Sequence, residues 1–221
     1  MIVSLSILKY PKKNIAFAFL AMALHRLPLL LNKKCSFWKL MGSGKNGTFD
    51  INPDYQQWAL LAVWDTIEDF ENFNKHSFIA RWWNRFTLSK RTLICEPLEA
   101  HGKWDNQQPF GNPKIKDHKG AVAILTRATI RPSRLKNFWK NVPRVAAIMS
   151  NTEGFITSVG IGEAPFFRQA TFSIWRSLDD VKKFAYKDPE HAEIIRLTRQ
   201  ENWYSEELFA RFKIIRNEGF Y

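Results

Sequence analysis

Apolar and polar positions alternate along several short stretches, and the same alternation returns later in the chain. Val3-Ser4-Leu5-Ser6-Ile7-Leu8-Lys9 reads as a strand by its aliphatic and β-branched content. Ala121-Val122-Ala123-Ile124-Leu125-Thr126-Arg127 reads the same way 118 positions on. At that offset Arg26 falls on Arg144, Phe37 on Phe155, and Met41-Gly42-Ser43-Gly44 on Val159-Gly160-Ile161-Gly162. Beyond the glycines the offset becomes 111, placing Ala59-Leu60-Leu61-Ala62-Val63-Trp64 on Ala170-Thr171-Phe172-Ser173-Ile174-Trp175. At the end it becomes 110, with Glu96-Pro97-Leu98-Glu99-Ala100 on Glu206-Glu207-Leu208-Phe209-Ala210. The chain is therefore written twice.

Each copy reads strand, helix, strand, strand, helix, strand. The first helix covers Ile15 to Leu31 in one copy and Pro132 to Ser150 in the other. The second opens on Thr66-Ile67-Glu68-Asp69 or Ser177-Leu178-Asp179-Asp180, where Thr66 or Asp65, and Ser177, serve as N-caps ahead of first-turn acid. This order is the ferredoxin-like split motif. The expected fold is α+β, with tandem ferredoxin-like βαββαβ repeats pairing their sheets into a barrel-like core with helices outside. The expected organisation is a first repeat over residues 1–104, a linker over 105–119 and a second repeat over 120–221. The linker composition is that of a loop, as is the Gly-, Asn- and Asp-rich stretch from Lys45 to Tyr55. The repeated GxG pairs are expected at a structural turn. They lack the third glycine and following helix of a dinucleotide fingerprint.

Ile15 to Leu31, IAFAFLAMALHRLPLLL, is the most apolar stretch. It is short for a span and interrupted by His25, Arg26 and Pro28, so no integral span is expected. The expectation is a buried amphipathic helix that Pro28 bends or ends. The alternative is a helix lying in a membrane interface, flanked by Lys12, Lys13, Lys33 and Lys34.

Composition then narrows the chemistry. The 221 residues are 45% hydrophobic, which suffices for a sizeable core and excludes disorder. Eighteen Phe and nine Trp suit either an aromatic core or a site for a large apolar or planar molecule. Cys35 and Cys95 are too few for a disulfide scaffold or a CxxC metal site and are expected to be buried and inert. No signal peptide is recognised, so the expected location is cytoplasmic, with peripheral contact on the inner face of a membrane as an addition. A net charge of +12 favours an anionic surface or an acidic redox partner. The basic residues are dispersed and fit no nucleic-acid motif, so no nucleic acid is expected. P-loop, HExxH and GxSxG motifs are absent.

In a duplicated scaffold, residues that break the match are the better functional candidates. His191, in Asp188-Pro189-Glu190-His191-Ala192, has no counterpart in the first copy. Ile195 and Arg199 follow it at one and two turns on the same helical face. One helix histidine facing a cavity is a way to hold haem iron, and nearby arginines suit propionates. A surface or capping histidine is the alternative. Phe166 and Phe167 are candidates to line a pocket, and the aromatics from Trp203 to Phe212 either line an apolar site or pack the core.

Several segments carry a more specific likeness. FWKLMGSG (Phe37–Gly44), WALLAVWD (Trp58–Asp65), LTRATIRP (Leu125–Pro132), GIGEAP (160–165), RQATFSIW (Arg168–Trp175) and WYSEELFARF (Trp203–Phe212) resemble the spheroidene monooxygenase family. The resemblance runs from about residue 3 to 216. It implies the dimeric α/β-barrel superfamily, which also holds haem enzymes such as chlorite dismutases and aldoxime dehydratases, and cofactor-free monooxygenases of antibiotic biosynthesis. It implies oxygen insertion into a carotenoid-like apolar substrate, using O₂, haem and an electron donor such as ferredoxin, with homo-oligomerisation open. His191 is then the expected iron ligand, Arg196 or Arg199 the propionate partner, and Trp203 part of the cofactor site. Arg127 and Gln169 are the expected distal groups, and Phe166, Phe167 and Phe172 the substrate contacts. A cofactor-free oxygenase, and a non-catalytic haem or apolar-ligand carrier, are the alternatives.

Overall fold

A computed structural model describes the chain except residues 46–49, 114–117, 165 and 188 and the side chains of 186, 187, 190 and 191. Eight strands close into one antiparallel barrel in the order β1-β3-β2-β6-β7-β5-β8-β4. The strands are β1 Ile2–Lys9, β2 Cys35–Gly44, β3 Pro53–Trp64, β4 Ser89–Gly102, β5 Val122–Ile130, β6 Phe155–Ala164, β7 Arg168–Trp175 and β8 Tyr204–Glu218. The helices are α1 Ile15–Leu24, α2 Arg26–Leu31, α3 Ile67–His76, α4 Phe78–Phe86, α5 Leu135–Asn151, α6 Leu178–Lys187 and α7 Pro189–Gln200. Each half has the same strand order, β4-β1-β3-β2 and β8-β5-β7-β6.

The helix starts follow from their caps. Thr66 Oγ1 accepts from the Asp69 amide at 3.2 Å, and Ser177 Oγ from the Asp180 amide at 3.2 Å. The second helix of each copy is in fact two helices. In the first copy Ser77 leaves helical geometry and its Oγ accepts from the Ala80 amide at 2.9 Å, which ends α3 and starts α4.

Strand register refines the internal correspondence. Cys35 opens β2 opposite Trp64, and Phe155 opens β6 opposite Trp175. Gly42 therefore corresponds to Gly162, two residues from the match to Gly160 made on sequence. Leu5 faces Leu61 and Leu93, while Leu125 faces Phe172 and Ala210. Glu96 then corresponds to Lys213 rather than to Glu206. The helical arm before β8 is the longer one, Leu178 to Gln200 against Ile67 to Phe86, and it carries the last strand out of the sequence match. Corresponding residues meet at both seams between the halves: Gly42 opposite Gly162, and Glu96 opposite Lys213. The GxG pairs lie within β2 and β6 at the seam, not in a turn.

An eight-stranded barrel is just wide enough for side chains to fill. Inward positions alternate along every strand: Val3, Leu5 and Ile7; Ala59, Leu61 and Val63; Ala170, Phe172 and Ile174. The connecting segment completes the filling. Trp104 and Phe110 are buried among them, with Trp104 edge-on to Phe37 at 5.5 Å and Phe110 edge-on to Phe212 at 5.1 Å. The stretch expected to be mere loop thus contributes core. Cys35 and Cys95 are buried free thiols; burial pushes the Cys35 thiol up to about 12 and that of Cys95 higher still.

The apolar helix near the N-terminus departs from the expectation of burial. It breaks at His25, three residues ahead of Pro28, because proline has no N–H for the preceding turn and clashes with the carbonyl four residues back. Ala18, Ala21, His25 and Leu29 face the protein, while Phe19, Leu20, Leu24, Leu27, Leu30 and Leu31 are exposed.

His25 sits edge-on to Phe78, Trp82 and Trp83 at 5.7–6.3 Å, and its Nε2 has no hydrogen-bond partner. Burial lowers its pKa from 6.5 to about 4. Below pH 6.5 the unfolded chain takes up a proton that the folded chain refuses. The stability contributed by neutral burial is whole above that pH and is lost as pH falls toward 4. Urea titrations between pH 7 and 4.5 should show wild type losing on the order of 2 kcal/mol more than His25→Phe across this range. Parallel curves for the two proteins would show that His25 protonates freely in the folded state.

Candidate functional site

The correspondence between halves exposes an asymmetry on the outer face of the barrel. In the first half, strand pairs facing the helices are Trp38–Ala62, Leu40–Leu60 and Gly42–Trp58. The corresponding pairs in the second half are Ser158–Ser173, Gly160–Thr171 and Gly162–Gln169. On the strand beside them, Leu8 corresponds to Ala128. Bulky apolar residues have been replaced by small or polar ones at five places on one sheet face.

Packing follows the side chains. The first half has one continuous apolar layer joining Leu8, Leu40, Leu60 and Trp64 to Ala18, Leu29, Phe70, Phe73, Ile79 and Trp83 of the helices. The second half has two separate clusters. One gathers Val122, Ile124, Trp175 and Val181 under α6; the other gathers Ile130, Phe138, Val142, Ile194 and Trp203 under α5 and α7. Between them Thr126 is exposed in the middle of β5, a central strand of a closed barrel. Thr171 and Ser158 are only half-buried. The sheet is therefore incompletely covered at Thr126, Ser158 and Thr171, around the buried Gly160. This opening is the candidate site.

The structure divides the residues singled out from sequence. Gln169 lies on this outer face, opposite Gly162, and its Nε2 donates to the Ala164 carbonyl at 3.2 Å. Phe166 and Phe167 lie in the β6–β7 turn and are 47% and 42% exposed. Trp139 Nε1 on α5 donates to the Phe166 carbonyl at 3.0 Å, and the Ile130 amide to that of Phe167 at 2.7 Å, which holds the turn at the end of the opening. His191 is on α7, one turn before Ile194 and Ile195; its side chain lies outside the described residues. Arg196 is exposed and donates to Gln200 Oε1 at 2.9 Å. Arg199 is exposed in the last turn of α7. Trp203 is buried in the α5–α7 cluster, where its Nε1 donates to Glu201 Oε2 at 2.8 Å.

Two expected site residues are on the wrong side of the sheet. Phe172 points into the barrel and stacks on Phe212 at 5.8 Å, so it is core. Arg127 also points inward, because it alternates with Ala128 and shares the parity of Ala123 and Leu125. It cannot serve as a distal group beside Gln169. Its side chain is fully buried and hydrogen-bonds Glu206. Nη2 lies 3.5 Å from Glu163 and 3.7 Å from Asp105, and the guanidinium stands 5.3 Å from the Trp104 ring.

Around Arg127 lies an ionic cluster that sequence reading did not anticipate, since its members come from six separate segments. Lys39 pairs with Asp105 and, at 3.0 Å, with Glu163; Trp104 Nε1 donates to Glu163 at 2.7 Å. The Asp105 and Asn106 amides donate to Glu206 at 3.0 and 2.8 Å from a turn in which both residues have positive φ. Burial works to raise the Asp105 carboxyl, but Lys39, Arg168 and Arg127 override it and hold it below the ordinary range. Burial opposes ionisation of Glu206 too, and the two amides with Arg127 hold it low. The cluster locks the connecting turn into the end of the barrel.

A closed eight-stranded antiparallel barrel with helices outside defines a mixed α+β protein. An aldoxime dehydratase crystallised with butyraldoxime shares the fold with a TM-score of 0.62 at 11% identity, over 96% of this chain and 79% of that one. A second aldoxime dehydratase structure gives 0.58 at 11%, over 96% and 80%. No protein-family model matches the chain. Sequence relatives are nearer. The spheroidene monooxygenase of Rhodobacter capsulatus is 32% identical over 99% of this chain and 92% of its own length. That of Cereibacter sphaeroides is 34% identical over 90% of this chain, which spans 60% of its length. That of Rubrivivax gelatinosus is 32% identical over 87% and 73%. The chain belongs to the spheroidene monooxygenase family, and is an oxidoreductase of the monooxygenase type.

Replacing Arg127 by Met should cost about 3–5 kcal/mol, because Glu206 would lose its cation and Glu163 would keep Lys39 alone. Chemical denaturation measures this. A loss below 1 kcal/mol would mean that water reaches those carboxylates.

Proposed function

We propose that this chain inserts oxygen into a carotenoid-like apolar substrate, with haem held in the opening between the second-half sheet and α5, α6 and α7. The observation that carries the proposal is the thinned sheet face. A planar group needs a slot, and the second half has lost Trp-, Leu- and Leu-sized side chains where the first half keeps them. The donor chemistry agrees. Among the described residues no three His, Cys, Asp or Glu side chains gather as a metal cage. A porphyrin supplies four iron ligands itself and asks the protein for one.

His191 on α7 would be that ligand, and Arg196 and Arg199 on the same helix would meet the propionates. Haem, when bound, supplies the reductive activation of O₂. The protein's own part is to shape and dry the site. Thr126, Ser158 and Thr171 line the sheet side, Gln169 presents an amide from the same face, and Phe166 and Phe167 offer apolar surface at its end to a polyene. The electron donor would be acidic, to match the net charge of +12. We read the two halves, residues 1–104 and 120–221, as tandem ferredoxin-like units; the shared strand order and the self-matched pairs at both seams support this reading.

A second reading is a cofactor-free oxygenase working inside the barrel. It is favoured by a pocket of about 340 Å³ at the barrel end away from Arg127, lined by Lys9, Gln57, Arg91 and Phe220 among others.

An absorption spectrum of protein expressed with ample haem, oxidised and then reduced under carbon monoxide, decides between them. A Soret band that shifts with carbon monoxide is expected, and it should be lost in His191→Ala. Refilling the face with the first-half residue, in Thr171→Leu or Ser158→Trp, should weaken haem binding at least about tenfold. The melting temperature should stay unchanged or rise. A featureless spectrum after haemin addition overturns the haem reading in favour of the barrel pocket.

A further inference from the structure

The helical segment Lys12–Leu31 is, among the described residues, the one long and apolar enough to cross a membrane, yet only 22% of it is buried. It lies along the first-half sheet, anchored by Ala18, Ala21, His25 and Leu29. Its outward side is almost wholly apolar. Leu27, Leu30 and Leu31 are 63%, 69% and 71% exposed. Around them stand Phe19, Leu20, Leu24 and Phe78, all exposed. Phe19 is edge-on to Trp58 at 5.0 Å and lies 5.8 Å from Tyr55, so the aromatic surface continues onto the start of β3. A soluble monomer rarely leaves so much contiguous apolar surface unpartnered.

Charge selects the partner. The segment contains no acidic residue. Lys12 and Lys13 are exposed at one end, Lys33 and Lys34 at the other, and Arg26 is exposed between them. Of the four lysines, Lys34 has an acidic neighbour, Asp65, at 4.0 Å. An apolar strip with cationic ends matches an anionic bilayer: leucines and phenylalanines enter the acyl boundary while ammonium groups reach headgroup phosphates. A second copy of this chain would bring like charges together around the same strip. Spanning is unsuited too, because the helix breaks at His25 and is held flat by its buried side.

We propose that α1 and α2 form a monotopic docking face that lays the barrel on an anionic lipid surface. The inference does not depend on haem or on the substrate assignment. It deepens that assignment by placing the enzyme at the phase in which a polyene dissolves.

Flotation of the purified full chain with phosphatidylcholine vesicles, with and without phosphatidylglycerol, tests it. Wild type should float with the anionic vesicles and lose at least about tenfold in binding on neutral ones or in high salt. The exposed-site variant Leu27→Glu/Leu30→Glu should lose flotation about tenfold or more. Lys33→Glu/Lys34→Glu should lose the preference for anionic lipid. The circular dichroism and melting temperature of both should match wild type. Wild type remaining with the unbound protein, or both variants floating undiminished, overturns the proposal. So does a wild-type dimer that Leu27→Glu/Leu30→Glu converts to monomer, since the strip would then be an interface between copies. Because flotation reads neither haem nor turnover, its failure is separate from failure of the oxygenase reading.

Discussion

Closure of the barrel is the constraint on which everything else rests. Eight strands can close only if the last edges of the two halves meet, and here they meet unequally. β4 and β8 pair along ten positions, while β2 and β6 share two, at Gly42–Gly162 and Ser43–Ile161. The short seam is reinforced by a side chain: Ser43 Oγ donates to the Gly160 carbonyl at 3.1 Å. With the barrel closed, each sheet has an inner face committed to core. Only the outer faces remain to differ.

They differ in a way that divides labour. The first half keeps Trp38, Leu40, Trp58 and Leu60 and builds a continuous layer under its helices. The second keeps the same strand geometry and thins the layer. A single buried leucine removed from a core costs about 2–5 kcal/mol. Thinning several positions of one sheet face leaves the first half's apolar layer and the ionic cluster to carry more of the stability. Stability concentrated in one copy leaves the other free to keep an opening.

Much of this was legible in the sequence, and the parts that were not have physical reasons. Repetition was visible because strand alternation and the tryptophans ending β3 and β7 persist in both copies. The exact match was not, because two-residue slips preserve the inward and outward parity and so look equally good in a sequence. That slip hid the significance of Gly160, which emerges only when it is paired with Leu40; the match of Leu60 to Thr171 was already in the sequence. Arg127 misled for a related reason: a charge in a strand invites a functional reading, and nothing local reveals that its partners are Asp105, Glu163 and Glu206. The apolar run after Lys12 announced burial by composition, whereas burial depends on how many of its faces the sheet can cover, and one flat sheet covers one.

Trp104 and Phe110 give the join between the halves a further meaning. In an assembly of two separate chains no such peptide exists, and the space these rings occupy would have to hold solvent, a ligand or larger strand residues. In this chain the connecting segment acts as a stopper: Trp104 and Phe110 fill the interior toward the Arg127 end, and the opposite end keeps the pocket of about 340 Å³. The tether thus gives the barrel one closed end and one open end.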